Sequence, residues 1–129
     1  MATIQKFEDL EVFQLALKSA DLIYDVTSIG QFSQDYVLRD QVRRAGVSIF
    51  SNIAEGFERD GNKEFNNFLS IAKGSCGEAR SQILFAFKRN YISEDAFTSL
   101  TDNLVLTSKQ ISAFSSYLRK SDLKGRKFT

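Results

Sequence analysis

Between Phe65 and Phe87 the apolar and small residues recur with a single helical period. Phe65, Phe68, Leu69, Ala72, Cys76, Ala79, Ile83, Ala86 and Phe87 fall within about 60° of one line on a helical wheel. The stripe predicts a helix from about Lys63 to Asn90. The chain has no proline, which suits long uninterrupted helices.

Punctuation along the chain predicts three more. Asp9 is placed to cap a first helix running to about Ser28, with Leu10, Phe13, Ala16, Leu17, Ala20 and Tyr24 as its main stripe. The segment IGQFSQD breaks it. A second helix runs from about Tyr36 to Arg59, with Leu38, Val42, Ala45, Ile49 and Ile53 inward. In the connection RDGN, Gly61 is free to take positive φ and Asn62 can cap the helix that follows. The last helix opens at SEDA, with Ser93 as N-cap and Glu94 and Asp95 at the positive end of its dipole. Its stripe is Phe97, Leu100, Leu104, Ile111, Phe114 and Leu118. Four helices of about 20 to 29 residues with short connections predict an all-α fold, an antiparallel up-and-down four-helix bundle. One domain is expected over residues 1–121, with a flexible basic tail over 122–129.

The totals narrow the function. A net charge of +1 gives no global field to draw in nucleic acid or anionic membrane, so such binding needs a local patch. No run is apolar for long enough to span a membrane, and MATIQKFEDL lacks the pattern of a signal peptide. The single cysteine, Cys76, suits a reducing compartment, and a cytoplasmic location is expected. The chain contains no histidine, which removes Ser-His-Asp and Cys-His catalysis and His-containing metal sites from a single chain. No cofactor is expected.

One bundle needs one stripe per helix, and several helices have two. Val12, Leu15, Leu22, Ile23 and Val26 form a second apolar surface on the first helix. The second helix repeats the excess through Val47, Phe50, Ala54 and Phe57, and the third through Ile71 and Phe85. A closed homo-oligomer that buries these faces between subunits is the economical reading. The alternative is a broad single core with scattered exposed apolar residues. Gly46, Gly56, Gly74 and Gly77 each cost a helix about 1 kcal/mol, so close backbone approach is expected where they sit.

Two sets of polar residues could carry chemistry. Gln41, Ser48, Asn52 and Glu55 on the second helix, with Glu78 and Gln82 on the third, are expected to form a buried network that fixes helix register. A carboxylate site built from Glu55 and Glu78 is the functional alternative, although nothing organises a metal there. Cys76 lies at the centre of the core stripe, where a thiol is inert. Among the cations, Arg39, Arg43 and Arg44 cluster on the second helix, and Lys73, Arg80 and Lys88 share a flank of the third. The tail adds Arg119, Lys120, Lys124, Arg126 and Lys127 against Asp122 alone. Guanidinium groups suit phosphate, and a symmetric assembly would repeat any patch. The plainer reading is a solvated, ion-paired surface.

The stretches FEDLEVFQLALKSADLIYDVT, LRDQVRRAGVSIFSNIAEGFER, NKEFNNFLSIAKGSCGEARSQILFA and NYIS resemble the four-helix-bundle family of ribosomal-RNA intervening-sequence proteins, in order and spacing. Related bundles act as accessory factors to the reverse transcriptase of diversity-generating retroelements. The resemblance implies an antiparallel bundle, commonly a homopentamer, with a nucleic-acid-binding role and no catalytic residues. A reverse transcriptase is the partner implied for the retroelement type. The family's signature has proline where this chain has Phe50. Without proline, the second helix is expected to run straighter and to gain apolar area.

The sequence therefore points to a non-enzymatic oligomeric bundle that binds RNA, DNA or a ribonucleoprotein through repeated Arg/Lys patches. A protein-only scaffold using an apolar groove or a ring face is the alternative.

Overall fold

The structure is a computed structural model and describes residues 4–121. The tail expected over 122–129 lies outside the described residues. A 3-10 turn, Phe7–Asp9, precedes α1 (Glu11–Thr27), α2 (Gly30–Gln34), α3 (Tyr36–Glu58), α4 (Asn62–Lys88) and α5 (Glu94–Ser121). The expected all-α bundle is present, with five α-helices among the described residues in place of the expected four. The addition, α2, is a short helix within the expected break. Phe32, fully buried, anchors it.

In the bundle, α1 packs against α3 and α5, and α4 packs against the same two. The core follows the helical stripes. Ala16 of α1, Val42, Ile49 and Ile53 of α3, Phe65, Leu69, Ala72, Cys76, Ala79, Ile83 and Ala86 along the stripe of α4, and Leu104 and Leu118 of α5 are fully buried at its centre, while Phe68 of that stripe is half-buried. Tyr24 is an exception, 43% exposed under a guanidinium rather than in the core. Gly46 and Gly56 sit where helices approach closely. A Cβ on Gly46 would meet Ile23 Cδ1 at 2.8 Å, and one on Gly56 would meet Phe65 Cδ1 at 2.7 Å. Gly74 and Gly77 have no such reason, since a Cβ at either has nothing within 4 Å.

Two helix starts differ from the sequence reading. Asp9 belongs to the 3-10 turn, and Leu10 precedes α1 without a side-chain cap. Asn62 lies inside α4 behind Gly61, whose φ of 86° a side chain would strain. Its amide instead donates to the Leu118 carbonyl at 3.1 Å, tying α4 to the end of α5. The other caps follow the side-chain chemistry. Asp35 Oδ1 accepts from Leu38 N at 3.1 Å at the head of α3, and Ser93 Oγ accepts from Ala96 N at 3.1 Å at the head of α5.

The loops at one end are joined. Asn90 turns the chain with φ 62°. Tyr91 then donates its hydroxyl to Asp35 Oδ2 at 2.9 Å, while its ring lies 5.5 Å from that of Phe32. One carboxylate thus caps α3 and holds the α4–α5 loop.

Candidate nucleic-acid interface

The cations on α3 face three different fates. Arg39 pairs with Asp40 at 2.9 Å, donates to the Ser33 carbonyl at 3.1 Å, and lies 4.8 Å over the Tyr36 ring. Arg43 closes the end of α1. Its Nε donates to Thr27 Oγ1 at 2.7 Å, a second nitrogen donates to Ser28 Oγ at 3.1 Å, and its guanidinium sits 4.4 Å over Tyr24. A cation at a helix C-terminus also complements the helix dipole. Arg44 is exposed and has no ion-pair or hydrogen-bond partner among the described residues. Arg43 and Arg44 line a shallow cavity of about 350 Å³ with Tyr24 and Val47, but Asp40 lines it too.

The flank of α4 faces α5 across an outer groove with a different character. Lys73 donates to Ser112 Oγ at 2.5 Å across it. Arg119 of α5 donates to Ser115 Oγ at 3.0 Å, and that hydroxyl donates to Asn66 Oδ1 at 2.6 Å. These residues share a cavity of about 220 Å³. Further along, Arg80 lines a second cavity of about 290 Å³ with Gly77, Ser81, Leu84, Phe97 and Thr101. No acidic side chain lines either cavity. Lys88 is exposed in the last turn of α4. Sequence reasoning placed Lys73 and Arg80 on one flank but assigned Arg119 to the tail. The spacing of Ser112, Ser115 and Arg119 on α5, one turn apart in sequence, was the signal available.

The expected polar network is smaller and differently composed. Asn52 Nδ2 donates to the Ser48 carbonyl at 2.7 Å and to Ser48 Oγ at 3.0 Å, and the two hydroxyls of Ser48 and Ser75 lie 2.9 Å apart. Gln41, Glu55 and Glu78 are exposed and outside it. The inward line of α3 runs through Val42, Ala45, Ile49 and Ile53, which turns Gln41 and Glu55 outward. Glu55 instead pairs with Arg59 one turn along at 3.0 Å. Gln82 is half-buried, and its Oε1 has no hydrogen-bond partner. No cluster of three or more metal-ligating residues occurs among the described residues. Burial pushes the Cys76 thiol up to about 12, against the opposing pull of Lys73 and Arg80.

The second apolar face also changes. Val12, Ile23 and Phe57 are buried in the core of their own chain. Leu15, Leu22, Val26, Val47, Phe50 and Ala54 are half-buried. The cause is that α1 lies between α3 and α5, so two arcs of its surface are covered rather than one. Phe7 covers more, with its ring 4.9 Å from Phe13 and 6.4 Å from Phe57. Phe50 packs edge-on to Phe13 at 6.2 Å, and α3 continues through it without interruption. Large exposed apolar residues lie elsewhere, among them Ile29 at 69% and Val37 at 77% around α2 and the start of α3, and Ile71 at 52% and Phe85 at 54% on the outer face of α4.

No helix among the described residues is long and apolar enough to cross a membrane. A family model described as 23S rRNA-intervening sequence protein matches residues 8–113. No curated protein matches the sequence. Among solved structures, the chain is similar to a protein of unknown function from the S23 ribosomal protein family of Bacteroides thetaiotaomicron VPI-5482. The TM-score is 0.73 at 22% identity, over 81% of this chain and 97% of that one. That likeness bears on the fold, and the family match extends over most of the sequence. The chain belongs to the family of 23S rRNA-intervening sequence proteins.

Proposed function

We propose that this chain is a non-enzymatic, cytoplasmic bundle that binds nucleic acid, or a ribonucleoprotein partner, through Arg/Lys patches repeated around an oligomer. In this reading the four long helices form an antiparallel up-and-down bundle, and copies close into a ring, a homopentamer by family resemblance. The observation that carries it is the α4–α5 groove, where Lys73, Arg80 and Arg119 line two cavities that contain no acid. Arg44 and Lys88 extend the set of exposed cations. A reverse transcriptase is the protein partner that the resemblance adds.

Self-association is assigned to the outer face of α4 rather than to α1. Ile71 and Phe85 are exposed there, and Gly74 between them leaves room for close approach. The same face supports the second reading, a scaffold that recognises protein alone.

Fluorescence anisotropy of labelled single-stranded RNA and DNA across a salt series tests the first reading, with molar mass followed by light scattering. The expected result is micromolar binding whose logarithm falls steeply with the logarithm of salt. An Arg44→Ala/Arg80→Ala double variant of unchanged mass should flatten that slope by about two. Absence of binding at low salt by an intact oligomer overturns this reading in favour of the scaffold. A Phe85→Glu variant that keeps the parental mass overturns the assignment of the assembly face.

A further inference from the structure

We propose that the outer groove between α4 and α5 contains a binding site for a phosphate-class oxyanion, with Lys73 and Arg119 as its charged ligands. The proposal goes beyond nucleic-acid binding, because a free phosphate or a phosphate monoester satisfies the same chemistry.

The first argument is order. Cations on a helix surface are mobile, and holding them in place costs side-chain entropy. Here that ordering is already done. Lys73 is fastened to Ser112 and Arg119 to Ser115, while Ser115 is fastened in turn to Asn66. The chain of hydrogen bonds crosses between the two helices and fixes both walls of the cavity.

The second argument is the direction of the hydrogen bonds. Ser112 Oγ accepts from Lys73, so its own proton is available. Ser115 spends its proton on Asn66 Oδ1, which leaves the Asn66 amide group free to donate. The remaining ammonium and guanidinium protons are unspent, because neither cation has an acidic partner among the described residues. Ser70 adds a hydroxyl to the same wall. The site is therefore rich in donors and holds two positive charges with no counter-charge among the described residues. An anion with oxygens in several directions satisfies donors that converge from two helices, as a single planar carboxylate does not.

The third argument is contrast. The cavity beside Arg43 and Arg44 includes Asp40, and the one beside Phe50 includes Glu55 and Glu58. The Arg80 cavity has one cation. Only the Lys73–Arg119 cavity, among these four, combines two cations with no acid, and its 220 Å³ accommodates a hydrated phosphate.

The test is a titration of the full-length ¹⁵N-labelled protein with inorganic phosphate, at constant ionic strength set by chloride. The expected result is saturable shifts confined to amides of residues 66–73 and 112–119. Lys73→Met, and independently Arg119→Gln, should weaken the apparent affinity about tenfold or more. Arg119 follows the last buried residue of α5, so its variant keeps the test valid if Lys73→Met fails to fold. Shifts that do not saturate, that spread over the surface, or that persist in both variants overturn the proposal. A second titration with a short oligonucleotide distinguishes the sources. Shifts at the same amides place a backbone phosphate in the site, whereas binding of inorganic phosphate alone assigns it to a small phosphate ligand. The latter outcome supports this site even where the nucleic-acid reading fails.

Discussion

The hydroxyl of Ser48 on α3 lies 2.9 Å from that of Ser75 on α4, a polar contact between two helices whose facing stripes are otherwise largely apolar. Asn52 completes it by donating to both the carbonyl and the hydroxyl of Ser48. Because the two hydroxyls and the Asn52 amide nitrogen satisfy one another, the group costs little where it stands and much where it is broken. Ser48→Ala and Ser75→Ala should each lower stability by about 1 kcal/mol. The double variant should lose less than the sum, with a coupling of about 0.5–1 kcal/mol. Urea unfolding of the four proteins in the cycle measures it, and strict additivity would show that the hydroxyls do not interact.

The glycines of the long helices should divide into two kinds. At Gly56 a methyl group would lie 2.7 Å from Phe65 Cδ1 and 2.8 Å from Phe68 Cβ, so Gly56→Ala should destabilise by about 1–3 kcal/mol through overpacking. At Gly77 nothing lies within 4 Å of the added methyl. Gly77→Ala should stabilise by about 1 kcal/mol through helix propensity alone. Thermal melts of the two variants, moving in opposite directions, check the division.

Arg43 and Arg44 are neighbours in sequence but not in role. Arg43→Ala removes two hydrogen bonds to the end of α1 and the cover over Tyr24, so a loss of about 1–2 kcal/mol is expected. Arg44→Ala should change stability by less than about 0.5 kcal/mol. Equal losses in chemical denaturation would contradict the assignment of Arg43 to the fold.

Cys76 makes stability depend on alkaline pH. Its thiol is held neutral in the folded chain up to about 12, chiefly by burial, whereas an exposed thiol ionises near 8.5. Above that value the unfolded chain loses a proton that the folded chain keeps, so stability falls as pH rises. The slope should approach about 1.4 kcal/mol per pH unit between the two pKa values. Cys76→Ala should remove this slope. In the native protein at pH 8, Cys76 should react with a thiol reagent only as fast as the chain opens.

The helical stripes were legible because each long helix repeats its pattern over many turns. Phe65 through Ala86 needed nothing but the period, and that inward line is buried except for Phe68 at its edge, which is half-buried. α2 was not legible, since five residues carry no period, and the burial of Phe32 depends on Tyr91 arriving from a distant loop. The surplus apolar residues of α1 were visible, but their destination was not. A wheel shows which residues share a face, while the arc that neighbours cover depends on how many helices flank it. The same limit applied to the polar residues. Ser75 carried no mark that set it apart from other serines, and its role exists only because Ser48 lies opposite. For the cations, sequence showed where charge clusters. Only partners such as Thr27 for Arg43 and Ser112 for Lys73 separate those that hold the fold from those open to a ligand.

The hydrogen bond from Tyr91 to Asp35 joins residues 56 positions apart. Both loops lie beyond the hairpin of α3 and α4, so the bond can close only after that hairpin has assembled. A contact of this kind is expected to be absent from the folding transition state and to contribute instead to the barrier against opening. Tyr91→Phe should therefore raise the unfolding rate in stopped-flow measurements and leave the folding rate nearly unchanged. The tyrosine acts as a latch, governing how long the folded chain lasts rather than how quickly it forms.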